Sequence, residues 1–427
     1  MNVAVIGSGG REHALTYKIS QSPKCEKIFI IPGNPGTCSI GQNAVIDIKD
    51  HNAITNFCQT RGIDLVVIGP EIPLVDGLAD ALREKGISVF GPNKNAAEIE
   101  ASKLFAKNLM KEYNIPTADF ARFNSNEYEK AKKYLESSKF PIVIKADGLA
   151  AGKGVLLCEN IEQALASLDN LFIDKIFGES GDRIVIEEFL EGEEASIFAI
   201  TDGEVFVCLP SAQDHKRIGD NDTGKNTGGM GAYSPAPIVT EEILKTVKSG
   251  IIVPTLKALR DKQKKFNGCL YCGLMITKAG PKVIEYNCRF GDPETQAVLP
   301  LLDGDFLELL YSAAKGKLNS DTVNYSGGSA VCVVAASKGY PDKYEKGFEI
   351  TGLNNLNEND IIVFHAGTKE SNGKIVTNGG RVLSVTSVLN KPDLRRAKEL
   401  AYNAISKINF EGIYYRKDIS DKAILNH

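Results

Sequence analysis

The sequence predicts a multidomain protein of mixed α/β and α+β class, with an open parallel α/β unit, a larger mixed unit and a small β-rich unit in that order. Three observations carry this. Residues 1–100 alternate strand-like and helix-like apolar patterns, with glycine turns where the strands end. From there to about residue 320 the strands follow one another more closely, which is antiparallel character. From Gly327 to His427 short strands and turn pairs such as Asn372-Gly373 dominate. A chain of 427 residues is also too long for one ordinary domain. The expected units are 1–101, 102–325 and 326–427.

In the first unit Val3–Ile6 is a strand, Glu12–Ser20 a helix and Lys27–Ile31 a second strand. Asp64–Ile68 is a further strand, followed by a helix through Leu82 and a strand at Ser88–Phe90. The strands are continuously apolar, as in parallel sheets covered on both faces. Such sheets bind ligands beyond the carboxyl ends of their strands. Gly7-Ser8-Gly9-Gly10, Gly33-Asn34-Pro35-Gly36 and Gly69-Pro70-Glu71 all fall there. A helix over Ala96–Glu112, with Ser102-Lys103 inside it, leads out.

In the second unit Ile142–Lys145 is expected to pair with Val155–Cys158 through a glycine-rich tip. Ile184–Phe189 and Ala195–Thr201 read as neighbouring strands, as do Gly203–Leu209 and Leu270–Ile276. The last unit has strands at Ala330–Ala336, Ile361–Ala366 and Arg381–Thr386, with one helix at Pro392–Ile408 packed on them. No repeat and no low-complexity segment interrupts the pattern.

Composition excludes several classes of function. Net charge is −4, with 50 basic and 54 acidic residues, so nothing asks for nucleic acid or a membrane surface. No apolar run approaches the ~20 residues of a membrane span. The N-terminus reads as a first strand rather than a signal, which with nine scattered cysteines points to the cytoplasm. Cys269 and Cys272 form a CxxC, but a zinc site wants a second pair or nearby histidines, and the pair lies inside a strand-like run. A metal or redox role for it is disfavoured.

The densest chemistry lies in Val283–Gln296. A short strand carries Glu285 and Asn287 two residues apart, so both point to one face. Oxygen donors on one face suit Mg²⁺, which is usually held by one or two protein ligands and substrate phosphates. Arg289, Asp292, Pro293, Glu294, Thr295 and Gln296 follow at once in a Gly/Pro turn. A solvated polar turn is the competing reading, but loops at strand ends carry chemistry disproportionately.

Four other runs add to it. Gly7-Ser8-Gly9-Gly10-Arg11-Glu12-His13 lets the backbone approach a phosphate at a helix N-terminus. The dinucleotide fingerprint needs a glycine where Glu12 stands and an acid after the second strand, so NAD is disfavoured. A smaller phosphorylated ligand fits, as does a purely structural turn, with Glu12 and His13 on the helix surface. Lys145–Val155 contains Gly152-Lys153-Gly154 but fails the P-loop spacing and lies between strands. It suits a flap whose amides and Lys153 fold over phosphates, with Lys145 on the preceding strand as a point charge. Ile186–Ser196 is strand, acidic turn, strand, able to accept from ribose hydroxyls, though such turns are usually solvated. Gln213–Asp220 with the turn at Thr227–Tyr233 clusters basic residues beside a Gly-Gly pair, an anion site; His215 within it reads as structural.

Taken together these runs resemble the phosphoribosylamine–glycine ligases, or glycinamide ribonucleotide synthetases. Gly69-Pro70-Glu71, Phe364–Thr368 and Thr377–Val382 fit the same family, so the resemblance spans nearly the whole chain in order. It implies an ATP-grasp core in the middle unit, with about 122–190 as a mobile ATP lid, after a pre-ATP-grasp α/β unit. It implies a ligase that phosphorylates glycine with ATP and passes the glycyl group to 5-phosphoribosylamine in purine synthesis. The implied ATP contacts are Lys103, Lys145, Gly152, Lys153, Gly154, Glu187, Glu188, Leu190 and Glu194. The implied metal ligands are Glu285 and Asn287, for Mg²⁺ or Mn²⁺. Arg289, Asp214 and Lys216 would act at the reacting groups. Gly9, Gly10, Glu71, Arg289, Asp292, Pro293, Glu294 and Thr295 would meet the substrates. Gly273–Ile276, on the strand before, carries no acid, which leaves a second metal shell undefined. The expected protein is a monomer acting on small molecules alone, without the fused activities of longer relatives. Another ATP-grasp carboxylate ligase, or a nucleotide-binding regulator without catalysis, are the alternatives; the regulator would be expected to lack Glu285 or Arg289.

Overall fold

A computed structural model of the chain describes residues 1–149, 154–325, 327–356 and 359–426. The chain opens with β1 (Asn2–Gly7), α1 (Gly10–Ser20), β2 (Lys27–Pro32), β3 (Gln42–Asn43), α2 (His51–Thr60) and β4 (Leu65–Ile68). α3 (Glu71–Asp76), α4 (Leu78–Glu84) and β5 (Ser88–Phe90) follow. The five strands form one parallel sheet in the order β3-β2-β1-β4-β5. Val3–Ile6 are fully buried, as their unbroken apolar run requires. The helix expected through Leu82 is two helices, because Gly77 takes φ 96°, a left-handed conformation that ends the first.

The helix expected over Ala96–Glu112 is likewise two, α5 (Lys94–Ala101) and α6 (Lys103–Glu112). Ser102 between them is extended, and its hydroxyl accepts from the Phe105 amide at 3.0 Å as the cap of α6. The same hydroxyl donates to Asp147 at 3.0 Å, so the break is fixed from both sides.

Next come β6 (Phe120–Asn124), α7 (Tyr128–Glu136), β7 (Ile142–Ala146), β8 (Val155–Cys158), α8 (Ile161–Phe172) and β9 (Arg183–Glu188). They form an antiparallel sheet, β6-β9-β7-β8, with Ile142 opposite Cys158 as expected. Its core, built from residues such as Leu135, Ile144, Leu168 and Ile186, is separate from the rest of the protein. A unit with its own core is free to move as a body.

β10 (Glu193–Thr201) and β11 (Phe206–Cys208) lead to four short strands, β12 (Gln213–Asp214), β13 (Arg217–Gly219), β14 (Thr223–Asn226) and β15 (Gly231–Ser234). α9 (Glu241–Val247), α10 (Val253–Asp261) and the hairpin β16 (Gly268–Thr277) and β17 (Gly280–Asn287) follow. The second sheet runs β11-β10-β16-β17. β9 and β10 are therefore not neighbours: the acidic turn between them crosses from one sheet to the other. β10 pairs instead with both β11 and β16, and by lying between them it also separates the strands expected to pair at Gly203–Leu209 and Leu270–Ile276. One apolar cluster runs from Ile6 and Ile68 through Ile99 and Leu109 to Ile197 and Leu274, so this sheet shares its core with the N-terminal unit.

The chain continues through α11 (Glu294–Val298), β18 (Leu302–Gly304), α12 (Phe306–Ala314) and β19 (Val323–Tyr325). It then forms β20 (Ser329–Ala336), β21 (Ile361–His365), β22 (Thr368–Ser371), β23 (Lys374–Thr377), β24 (Arg381–Leu389), α13 (Leu394–Ile405) and α14 (Asp421–Asn426). The third sheet has the order β12-β15-β20-β24-β21, so it takes two strands from within residues 213–234. Asn372 and Gly373, at φ 51° and 74°, turn β22 into β23, as an Asn-Gly pair should.

Candidate active site

A cleft of about 940 Å³ lies between the sheet β6-β9-β7-β8 and the second sheet, and reaches the carboxyl end of β4. β17 forms its floor. A bulge at Ile284 sets Gly273 opposite Glu285 and Leu274 opposite Val283. Glu285 and Asn287 stand opposite Gly273 and Tyr271, alternate residues of β16, and so share a face at the cleft, whereas the Tyr286 side chain between them is buried in the core and bonds Thr255 at 2.7 Å. The same-face expectation therefore holds. Gly273 faces Glu285 across the hairpin, and a side chain there would press within 3.1 Å of it.

Around Glu285 the charges are mixed. Lys216 Nζ lies 2.8 Å from Glu194 and 3.7 Å from Glu285. Burial raises the Glu285 pKa, but Lys216, Lys145, Lys103 and Arg289 outweigh it and hold the carboxylate below its usual range. Burial opposes the charge on Lys216, yet Glu194, Asp214 and Glu285 lift its pKa well above an ordinary lysine. Asp214, unlike Glu285, is raised: burial pushes its carboxyl up, against the pull of Lys216, with Glu294 adding to the rise.

The side of the cleft formed by β6-β9-β7-β8 holds lysines and apolar side chains. Lys145 Nζ is 3.0 Å from the buried Glu187 carboxylate and 3.1 Å from the Ile284 carbonyl, which the bulge presents. Lys107 grips the same carboxylate at 2.9 Å. Burial lowers the Lys107 pKa to about 8, with Glu187 opposing. Lys103 donates to the Gly148 carbonyl at 2.8 Å. Glu188 pairs with Lys282 at 2.9 Å, and Leu190 and Gly154 line the cleft. Ile99, Met110, Val143, Val155 and Met275 supply an apolar slot beside them. Gly152 and Lys153 lie outside the described residues.

The opposite side holds arginines paired with carboxylates. Arg289 reaches Glu71 at 3.2 Å and Glu100 at 3.0 Å. Burial alone would lower the arginine pKa; Glu100 and Glu71 raise it instead. Arg381 meets Asp292 at 2.9 Å, and Gln296 donates to the same carboxylate at 2.8 Å. Glu294 accepts from Tyr271 at 3.0 Å and Ser196 at 3.1 Å while still lining the cleft. Pro293 and Thr295 sit behind this wall: Pro293 packs against Gly229, and the buried Thr295 donates to Gly291.

Gly9 and Gly10 also form a second layer. A side chain at Gly10 would strike Gln296 at 2.6 Å. Glu12 and His13 are not surface residues. The buried Glu12 carboxylate accepts from the Gly9 amide at 2.7 Å and pairs with Arg11 at 2.6 Å. It fills space that only glycine leaves open, since a Cβ at Gly69 would come within 2.1 Å of it. His13 accepts from the His365 amide at 2.9 Å, tying α1 to β21. Both ring nitrogens of His215 are buried with no hydrogen-bond partner among the described residues, and burial holds its pKa near 3, in keeping with a structural role.

Sequence reasoning missed Lys107, Glu100, Arg381 and Arg11, all of which line the cleft. Lys107 lies one helical turn after Lys103, so the 3.6-residue period carried a signal for it. The others meet the site only through tertiary packing.

The chain matches the phosphoribosylglycinamide synthetase N domain over residues 1–100, its ATP-grasp (A) domain over 101–295 and its C domain over 330–422. It is 48% identical over 424 residues to a phosphoribosylamine–glycine ligase of Halalkalibacterium halodurans, covering 99% of this chain and 97% of that one. The crystal structure of phosphoribosylamine–glycine ligase from Thermotoga maritima is similar at a TM-score of 0.84 and 35% identity, covering 98% of this chain and all of that one (100%). A biotin carboxylase domain from Hydrogenobacter thermophilus, at TM-score 0.73 and 17% identity over 97% and 91% of the two chains, shares the fold. The architecture is thus an ATP-grasp core with a parallel α/β unit before it and a β-rich unit after it, and the chain belongs to the phosphoribosylglycinamide synthetase, or phosphoribosylamine–glycine ligase, family.

Proposed function

We infer that this chain is an ATP-dependent ligase that joins glycine to 5-phosphoribosylamine, forming glycinamide ribonucleotide, ADP and phosphate in purine biosynthesis. The observation that supports it most is a single cleft in which Glu285 and Asn287 separate a lysine-lined, partly apolar side from a side of arginine–carboxylate pairs.

The glycine carboxylate attacks the γ-phosphorus of ATP, and ADP leaves. The amine then attacks the acyl carbon, phosphate leaves and the amine loses a proton. Catalysis of both steps is chiefly positioning and charge neutralisation. Lys103, Lys145 and Lys153 attract the phosphates. The apolar slot takes the base, the Glu187–Leu190 segment its edge and Glu194 the ribose. Lys216 steadies charge on the transferring group, and Asp214 stands beside it at the reacting groups. Arg289, held by Glu71 and Glu100, orients the substrates with Asp292 and Glu294; Gly9, Gly10, Pro293 and Thr295 shape the wall behind them.

The donor set fits a magnesium or manganese ion. Glu285 and Asn287 offer a carboxylate and an amide oxygen on one face, and among the described residues no cluster of three His, Cys, Asp or Glu side chains could hold a metal alone. That suits an ion completed by phosphates and water. When bound, it would neutralise charge on the phosphates.

On this reading residues 1–101 bind substrate, 102–325 form the ATP-grasp unit with 122–190 as lid, and 326–427 close the cleft. The protein works in the cytoplasm as a monomer on small molecules. No helix among the described residues is long and apolar enough to cross a membrane.

The test is ADP formation with Mg-ATP, glycine and freshly generated phosphoribosylamine, each omitted in turn. Dependence on all three is expected. ADP release with another carboxylate or amine would discard the substrates, and no turnover with any pair would discard the ligase.

A further inference from the structure

One wall of the cleft is a hairpin that has little to hold it by itself. β13 and β14 pair only with each other, and all four residues of β14 are exposed. An isolated two-stranded hairpin is marginal in water. Its turn also puts Asn221 and Asp222 at φ 55° and 53°, a region unfavourable for side-chain-bearing residues. Yet Arg217, Asp222 and Asn226 line the cleft, and Lys216 stands directly before it.

The support comes from residues 414–422 at the far end of the chain. Arg416 is 0% exposed and does not reach the cleft. Its Nη1 donates to the Arg217 carbonyl at 3.0 Å and to Asp222 at 2.9 Å. Its Nε and Nη2 hold Asp418 at 2.7 and 2.6 Å. Asp418 in turn accepts from the Asn221 amide at 2.8 Å, Asp220 from the Lys417 amide at 2.8 Å, and the Ile218 carbonyl from Tyr414 at 2.9 Å. One planar guanidinium therefore fixes the backbone next to Lys216 and the turn of the hairpin together, which a lysine could not do.

We propose that the 414–422 segment is a strap and that Arg416 is a positioning residue for the ligase reaction, setting where Lys216 stands without touching substrate. The proposal rests on the ligase reading given above. Lys216 lies beside Glu285, where the carboxylate substrate is to be activated. Loosening the strap therefore weakens use of glycine more than use of ATP: of the nucleotide's contacts only the one at Glu194 borders Lys216, while the base and phosphates are held from the other side of the cleft.

Two readouts test it on the full chain. In Arg416→Met, trypsin should cut after the exposed Lys225 about tenfold faster than in the unsubstituted protein, well below the melting temperature, because local opening exposes that bond. The KM for glycine should rise about tenfold or more, with the KM for ATP within about twofold, since small misplacements near reacting groups are costly. Arg416→Lys should recover only part of either change. Unchanged cleavage and unchanged glycine KM in Arg416→Met would overturn the proposal, as would equal rises for glycine and ATP. If Arg416→Met does not fold, Tyr414→Phe, which removes one bond to the hairpin, carries the test with smaller shifts in the same two readouts. An unsubstituted protein that never turns over ATP would defeat the ligase reading instead, and the cleavage comparison alone would then decide the strap.

Discussion

The two sides of the cleft use cations differently. On the side of β6-β9-β7-β8, Lys103, Lys107 and Lys145 converge on Glu187 and on backbone carbonyls, beside an apolar slot. On the other side Arg289 and Arg381 are locked to Glu71, Glu100 and Asp292. Lysine is a movable point charge, whereas the guanidinium is a rigid fork. The lysine side can release its charges to a ligand that arrives with many of its own. The arginine side is organised before any ligand arrives. The cores repeat this contrast: the sheet β6-β9-β7-β8 has its own, while the second sheet shares one with the N-terminal unit. Glu285 lies where the two sides meet.

Removing that meeting point should have the largest effect. Glu285→Ala is expected to lower turnover about a thousandfold, as loss of an electrostatic anchor at the reacting groups does, with a cooperative melt near that of the parent. Near-normal ADP formation would break the assignment. Next, Arg289→Lys keeps the charge but loses the fork shared by Glu71 and Glu100. It should cost about a hundredfold in kcat/KM. Arg289→Ala leaves the buried Glu100 unpaired and should also destabilise the fold by about 3–5 kcal/mol, measured by denaturant melts. Equal activity of the lysine variant would show that the arginine side needs only charge.

A smaller change separates the two sides. Lys107→Met leaves Glu187 with Lys145 alone and should raise the KM for ATP about tenfold, the loss of roughly one charge-assisted bond. The KM for glycine should not move. A rise in both would mean that the sides are coupled.

Smallest in its effect on activity is a pH dependence of stability at the seam between α1 and β21. Burial lowers the His13 pKa to about 3, with His365 adding to the drop, and burial lowers His365 to about 4. Unfolded, each titrates near 6.5. The unfolded chain thus binds more protons between those values, so stability is fully present above about pH 6.5 and falls as the pH drops toward 4. The slope is about 1.4 kcal/mol per pH unit for each ring. His13→Asn should flatten it in melts from pH 7 to 5; an unchanged slope would place the proton uptake elsewhere.

Much of this was legible in the sequence for physical reasons. Parallel strands buried on both faces announce themselves as apolar runs, and the two-residue spacing of Glu285 and Asn287 places both on one face. The break at Ser102 was not legible, because the helical pattern continues across it and the partner that fixes it, Asp147, is distant in sequence. The separation of β9 from β10 was missed because an acidic turn between two apolar runs looks like a hairpin whichever sheet each joins. Glu12 looked like helix surface because nothing local reveals that Gly7 and Gly69 leave a space for its carboxylate. Glu100 and Arg381 become site residues only when α5 and β24 pack around the Arg289–Asp292 turn.

The central claim is that a carboxylate is activated by phosphoryl transfer where the two sides meet. The direct measurement is turnover with glycine carrying ¹⁸O in its carboxylate, followed by mass analysis of the released phosphate. Transfer through a glycyl phosphate predicts one labelled oxygen in each phosphate. Phosphate that remains unlabelled while the amide forms would contradict it.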